Sequence, residues 1–141
     1  MKTLLFFLLV STLSDSIAQS IVGKWKTIDD ETNKPKSIVE IYNKGGKVFG
    51  KIVKLFQDPD EDPDPICDEC TDYRKNMKVI GMEIITDMVK DEDEWIEGEI
   101  LDPENGKVYR CKLWVEDGEL KVRGYIAFFF RTQSWLPYTR P

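Results

Sequence analysis

The sequence predicts an all-β fold, a small antiparallel up-and-down β-barrel of about eight strands. Three observations carry this expectation. Apolar and charged residues alternate with a period of two through most of the stretch from Trp95 to Trp135. Tight-turn signatures punctuate that stretch at Asp102-Pro103-Glu104-Asn105-Gly106 and at Asp117-Gly118. The rest of the chain repeats the pattern of short apolar runs and turns, with a further two-residue hairpin signal at Gly45-Gly46.

Taken in order, residues 21–28 form a first strand carrying Gly23-Lys24-Trp25, followed by a polar loop over 29–36 and a strand over 37–42. Residues 48–56 read as a third strand whose two faces are both apolar, so its inward side is not assigned. The segment 57–78 is a long loop for a compact domain, the kind that serves function, acts as a lid or stays disordered. In 79–89, Met82, Ile85 and Val89 fit helical spacing while Ile80, Ile84 and Ile85 suit a strand; a short strand and then a turn is the reading adopted. After a turn at Asp91-Glu92-Asp93, Ile96, Gly98 and Ile100 oppose Glu97 and Glu99.

Pro103 presets φ for a type I turn, Asp102 can bond back to the backbone, and Asn105 and Gly106 tolerate positive φ. Tyr109, Cys111, Leu113 and Val115 then share one face against Arg110 and Lys112; Leu120, Val122, Gly124 and Ile126 oppose Lys121, Arg123 and Tyr125. One apolar and one charged face is the mark of half-buried antiparallel strands. If the alternation continues past Ile126, Phe128 and Phe130 point inward and Tyr125 and Phe129 outward. Thr132 to Trp135 supplies the last strand.

The chain has 141 residues, a formal net charge of -6 and no histidine. Its length fits one domain, expected over 19–141, and its 41% hydrophobic and 33% charged content is that of a globular chain. The acidic balance, with no clustered basic patch, argues against nucleic acid. Without histidine the chain lacks the usual acid–base group near neutral pH and the commonest metal ligand. Glu97 and Glu99 lie on a charged face without the desolvation that tunes a catalytic pair, and no nucleophile elbow, phosphate loop or dinucleotide fingerprint occurs. The expectation is a non-enzymatic protein with no cofactor and no metal.

Met1-Lys2-Thr3 is a basic start, Leu4 to Leu13 an apolar core, and Ser16-Ile17-Ala18 a small-residue cleavage site. These predict a signal peptide over 1–18 and a mature start at Gln19. The apolar run is too short for a stable membrane span, so no transmembrane segment is expected in the mature chain. The product is expected to be secreted, in the periplasm or outside the cell.

Cys67-Asp68-Glu69-Cys70 sits in the long loop and Cys111 on an apolar strand face. In an exported protein Cys67 and Cys70 are expected to form a disulfide, leaving Cys111 a buried free thiol. The competing readings are a redox pair, a zinc site and a bridge to Cys111. The first lacks a βαβ context and has two carboxylates raising the thiol pKa; the second lacks a histidine. The acidic run from Asp58 to Pro65 places carboxylates at calcium-loop positions, but Pro63 stands where a glycine's freedom is needed and no helices flank it. A solvated, extended acidic loop is the reading kept.

Gly23-x-Trp25 on a first strand, an antiparallel sheet and an arginine near its end resemble the lipocalin-type pattern. More specifically, the chain resembles the exported bacterial family termed domain of unknown function 2147. The matching stretches are Gly23-Lys24-Trp25, Val39-Glu40-Ile41-Tyr42, Gly50-Lys51-Ile52-Val53, Asp102 to Tyr109, Leu120 to Tyr125 and Arg131 to Trp135. This resemblance implies a lipocalin-like barrel in which Trp25 packs across the closed end under an arginine of the last strand, and it brings no assigned reaction or ligand. The chain departs from the family's usual short finish over 136–141.

Trp25, Trp114, Tyr125, Phe129, Arg123 and Arg131 are the candidate ligand- or partner-binding residues. Trp25 is expected to be a packed cation–π plug, whereas Trp114, Tyr125 and Phe129 would make an outward patch for a partner, membrane surface or second copy. Two functions follow. One is a carrier of a small apolar or amphipathic ligand in the cell envelope. The other is an envelope interaction module, its protein partner unnamed, whose barrel is filled by its own side chains.

Overall fold

The computed structural model describes residues 20–139. The leader expected over 1–18 lies outside the described residues. Eight antiparallel strands follow one another around a closed barrel: β1 Gly23–Ile28, β2 Pro35–Lys44, β3 Lys47–Leu55, β4 Glu83–Asp91, β5 Glu94–Asp102, β6 Lys107–Glu116, β7 Glu119–Ile126 and β8 Phe129–Pro137. No helix of the described residues is long and apolar enough to cross a membrane.

Closure depends on a short seam. Trp25 of β1 pairs with Pro137 of β8 and Lys26 with Leu136. The C-terminal extension carries that seam on, since the Tyr138 amide donates to the Lys24 carbonyl at 3.0 Å. The hairpins form where turn chemistry allows. Gly45 and Gly46 both adopt positive φ, as do Asp117 and Gly118, which lets two-residue turns follow the right-handed twist of the flanking strands. At the β5–β6 turn Asp102 accepts the Glu104 amide at 2.9 Å, and Gly106, at φ 72°, closes back onto the Asp102 carbonyl.

The segment 79–89, expected to be a short strand and then a turn, is built in the opposite order: a turn over residues 79–82 leads into the nine-residue β4. A local irregularity hid it. β4 bulges near Asp87 (φ 58°) against β3, and β5 bulges near Glu97 (φ 66°) against β6. The second bulge also overturns the simple alternation of β5. Trp95 faces inward opposite Leu113, Gly98 returns inward opposite Cys111, and Ile96 is displaced from that face. An extra residue switches the side-chain parity, which a strict period of two cannot represent.

Side chains fill the interior. Trp25, Val39, Ile41, Val48, Ile52, Ile85, Met88, Cys111, Leu113, Leu120, Val122 and Trp135 form one buried cluster. Packing is close enough that two strand positions admit only glycine without rearrangement. A Cβ at Gly98 would lie 2.2 Å from the Met88 sulfur and one at Gly50 2.9 Å from Ile41. Eight strands enclose about the volume that such side chains occupy.

The long connection between β3 and β4 folds onto one end of the barrel. Cys67 and Cys70 are joined by a disulfide, with Cα atoms 5.4 Å apart and both side chains buried in the core cluster, while Cys111 is a buried free cysteine. Backbone bonds tie the loop into a small unit, Cys67 N–H to Met77 O at 2.8 Å and Asn76 N–H to Cys67 O at 2.8 Å. Arg74, 5% exposed, pins it to the sheet by donating to the Glu83 carbonyl at 2.8 Å while holding Asp72 through Nη2 at 2.6 Å. The loop meets the β5–β6 turn so closely that a Cβ on Gly106 would lie 2.0 Å from the Glu69 carbonyl oxygen.

Candidate binding surface at the β7–β8 end

Strand register brings most of the candidate residues onto the outer face of β6, β7 and β8. Arg110 stands opposite Tyr125, which stands opposite Phe130; Lys112, Arg123 and Thr132 make the next row, and Trp114, Lys121 and Ser134 the one after. Side chains of one face therefore line up across the strands. The Arg123 guanidinium lies between two rings, 4.8 Å from the centroid of Trp114 and 4.3 Å from that of Phe130, with its Nε donating to Thr132 Oγ1 at 2.8 Å. Tyr125 and Phe130 pack with centroids 6.1 Å apart at a tilt of 52°. The Lys112 ammonium lies 5.7 Å from the Trp114 ring centroid and pairs with Glu94 at 2.8 Å.

Beyond this face the chain reverses at Ala127-Phe128, with Ala127 at φ 51° and Ile126 paired to Phe129. That turn corrects the expected directions of the aromatic run. Because the strand ends at Ile126, Phe129 falls on the same side as Ile126 at the barrel rim, and Phe130 takes the outward place beside Tyr125. Phe128 lies in the turn and faces neither inward nor across a strand pair. The result is an uncovered apolar tip: Ile126 is 58% exposed, Phe128 99%, Phe129 78% and Phe130 60%. Nothing in the composition of residues 126–130 marks a turn. The available signal was strand length, since a run continuing from Glu119 to the end of the last strand would be longer than strands usually are.

The tryptophan of the expected cation–π plug is buried, but no arginine among the described residues covers it. Trp25 is 3% exposed and its indole N–H donates to the Ile21 carbonyl at 2.8 Å. Arg131 does not cover it. It pairs with Gly124 near the start of β8 and its guanidinium binds Asp30 of the β1–β2 loop. Gln133 donates to the same Asp30 carboxylate at 2.9 Å and accepts the Trp135 indole N–H at 3.1 Å. This polar chain anchors the β1–β2 loop to the last strand, a tertiary partnership with no local sequence signal. Among the described residues, no cation–π contact involves Trp25.

Two surface depressions flank the barrel. One, of about 460 Å³, lies between the disulfide loop and the rim, lined by residues including Glu69, Thr71, Tyr109, Tyr125 and Ile126. The other, of about 310 Å³, lies where the C-terminal Tyr138 meets Lys24, Ile38 and Lys54. Neither is lined by the central core. Burial pushes the pKa of the Cys111 thiol up to about 12, which keeps it in the thiol form at neutral pH.

No curated protein sequence matches the chain. Among solved structures it is similar to HP1028 from the human pathogen Helicobacter pylori, described as belonging to the lipocalin family. That match has a TM-score of 0.71 and 17% sequence identity, and covers 85% of this chain and 84% of that one. The likeness establishes a lipocalin-like fold. Residues 23–136 match the family described as "Uncharacterized protein conserved in bacteria (DUF2147)", and the chain belongs to that family.

Proposed function

We propose that this protein is a non-enzymatic interaction module of the bacterial cell envelope that docks through the β7–β8 end of its barrel. The observation carrying the proposal is a contrast in burial. Core side chains such as Val39, Ile85 and Leu113 are fully buried and occupy the interior, whereas Phe128 and Phe129 are 99% and 78% exposed. Large apolar side chains kept together in water are a marker of a binding surface. Export is supported by the leader pattern at the amino terminus and by the Cys67–Cys70 disulfide, a bond favoured outside the reducing cytoplasm.

A second reading has its own observation. The depression beside Tyr109, Tyr125 and Ile126 could hold a small amphipathic ligand at the rim rather than inside the barrel. An apolar fluorescent dye such as anilinonaphthalene sulfonate distinguishes docking through the tip from a ligand held in the rim depression. Dye fluorescence is expected to fall at least twofold in Phe128→Ser/Phe129→Ser and to be unchanged in Tyr109→Ser, which alters the lining of the depression. The reverse pattern would overturn the docking proposal.

A further inference from the structure

We infer that the partner of the β7–β8 tip is an anionic phospholipid bilayer, an inference that rests on the docking reading above. The tip presents apolar side chains in several directions. Ile126 and Phe129 lie on the barrel side of the hairpin, Tyr125 and Phe130 on its outer side, and Phe128 stands at the apex. A rigid protein groove would have to enclose both faces of the hairpin to bury them. The interfacial zone of a bilayer is fluid and surrounds such a wedge without prior fit, and aromatic rings partition there favourably.

Charge identifies the kind of bilayer. Although the chain carries a formal charge of -6, Arg110, Arg123 and Arg131 all lie within a few residues of the tip in the β6–β7–β8 ladder. Arg131 is neutralised by Asp30; Arg110 stands across from Glu99 without forming an ion pair with it, and Arg123 makes no ion pair among the described residues. Trp114 and Phe130 hold Arg123 against the sheet, so its charge is displayed at a fixed height behind the apolar apex. The acidic run Asp58 to Asp64 lies in the β3–β4 connection, which opens at the same end of the barrel as the β7–β8 turn but on the opposite wall. A tilted approach, with the β6–β7–β8 wall leading, therefore brings the arginines to an anionic surface and keeps the acidic run away from it.

The test uses the disulfide-bonded protein as its host processes it, mixed with vesicles of phosphatidylcholine alone or with added phosphatidylglycerol. Flotation is expected to carry the protein only with the phosphatidylglycerol vesicles, and high salt to release it. Phe128→Ser/Phe129→Ser is expected to weaken binding more than tenfold, and Arg123→Gln about fivefold. In Phe128→Trp, indole emission is expected to shift to the blue on binding and to be quenched by brominated acyl chains. These positions are exposed, and thermal unfolding of each variant confirms that it folds.

Absence of flotation, or flotation that the phenylalanine substitutions leave unchanged, would overturn the lipid assignment. If dye binding still depends on Phe128 and Phe129 in that case, docking at the tip stands and only the bilayer is wrong. If dye binding is also indifferent to them, both fail together. A concentration-dependent dimer abolished by the same substitutions, without flotation, would assign the tip to a second copy.

Discussion

The β2–β3–β4 side of the barrel and the β6–β7–β8 side are built from the same antiparallel grammar but are finished differently. On the first, the long β3–β4 connection returns to the sheet, Arg74 is buried against β4, and Tyr42 and Lys44 both bind Glu83, at 2.5 and 3.0 Å. Polar groups there satisfy one another within the chain. On the second, the connection is a two-residue turn too short to cover anything, and its aromatic side chains remain in water. Where a connection is long enough to double back, the sheet closes over itself; where it is minimal, an apolar surface is left for something else.

The comparison is broken most severely by disturbing the packed interior. Gly98→Ala places a Cβ 2.3 Å from the Thr86 carbonyl oxygen, a backbone atom that cannot swing aside, as well as against Met88. Overpacking of this kind is expected to destabilise the fold by about 3 kcal/mol, read as a lowered denaturation midpoint in urea. Phe128→Ser at the tip is expected to change stability by less than about 0.5 kcal/mol. Equal costs at the two positions would mean that the tip is part of the core.

An intermediate effect separates the two sides by pH. Burial raises the pKa of Glu83, but the hydrogen bonds from Tyr42 and Lys44 outweigh it and hold the carboxyl below its ordinary 4.5. The Asp72 carboxyl is likewise held below its ordinary 3.8, chiefly by its bond from Arg74. With the folded pKa below the unfolded one, acid protonates the unfolded chain first. The stabilisation is therefore complete above about pH 4.5 and is lost as pH falls through the folded value. For Tyr42, burial first and then Glu83 raise the phenol above its ordinary 10.0, so its contribution is complete below that pH and declines above it. Thermal unfolding across pH is expected to show both slopes, with the acid limb shallower by about 1 kcal/mol in Glu83→Gln. An unchanged acid limb in that variant would remove Glu83 from the set that pins this side.

How much of this was legible in the sequence follows from where the turn chemistry lies. Gly45-Gly46, Asp117-Gly118 and the Asp102–Gly106 turn need residues that tolerate positive φ, and those residues announced three hairpins and hence the closed order of strands. Trp114, Arg123 and Tyr125 were placed correctly on the outer face because their strands alternate without interruption. Phe129 and Phe130 were exchanged because Ala127, an ordinary L-residue, adopts the left-handed conformation without any sequence mark. The bulges at Asp87 and Glu97 escaped for the same reason. The resemblance implies an unspecified last-strand arginine over Trp25, but Arg131 binds Asp30 of a distant loop, a contact that only the closed barrel creates.

The smallest expected effect sharpens the same contrast at its sparsest point. Ala127 sits at φ 51° in the turn that exposes the phenylalanines. That conformation costs an L-residue about 1–2 kcal/mol, and glycine would relieve it at an entropic cost of about 0.5–1 kcal/mol. Ala127→Gly is therefore expected to stabilise the fold by about 0.5 kcal/mol, seen as a higher urea midpoint at constant slope. The turn gains stability but loses stiffness, so the variant is expected to dock no better than the parent and to show faster amide exchange at Phe128 and Phe129. A loss of stability would show that the turn draws on an Ala127 contact rather than bearing strain. The tip would then be held by packing, like the opposite side of the barrel, and would no longer be an open end kept in shape by its backbone alone.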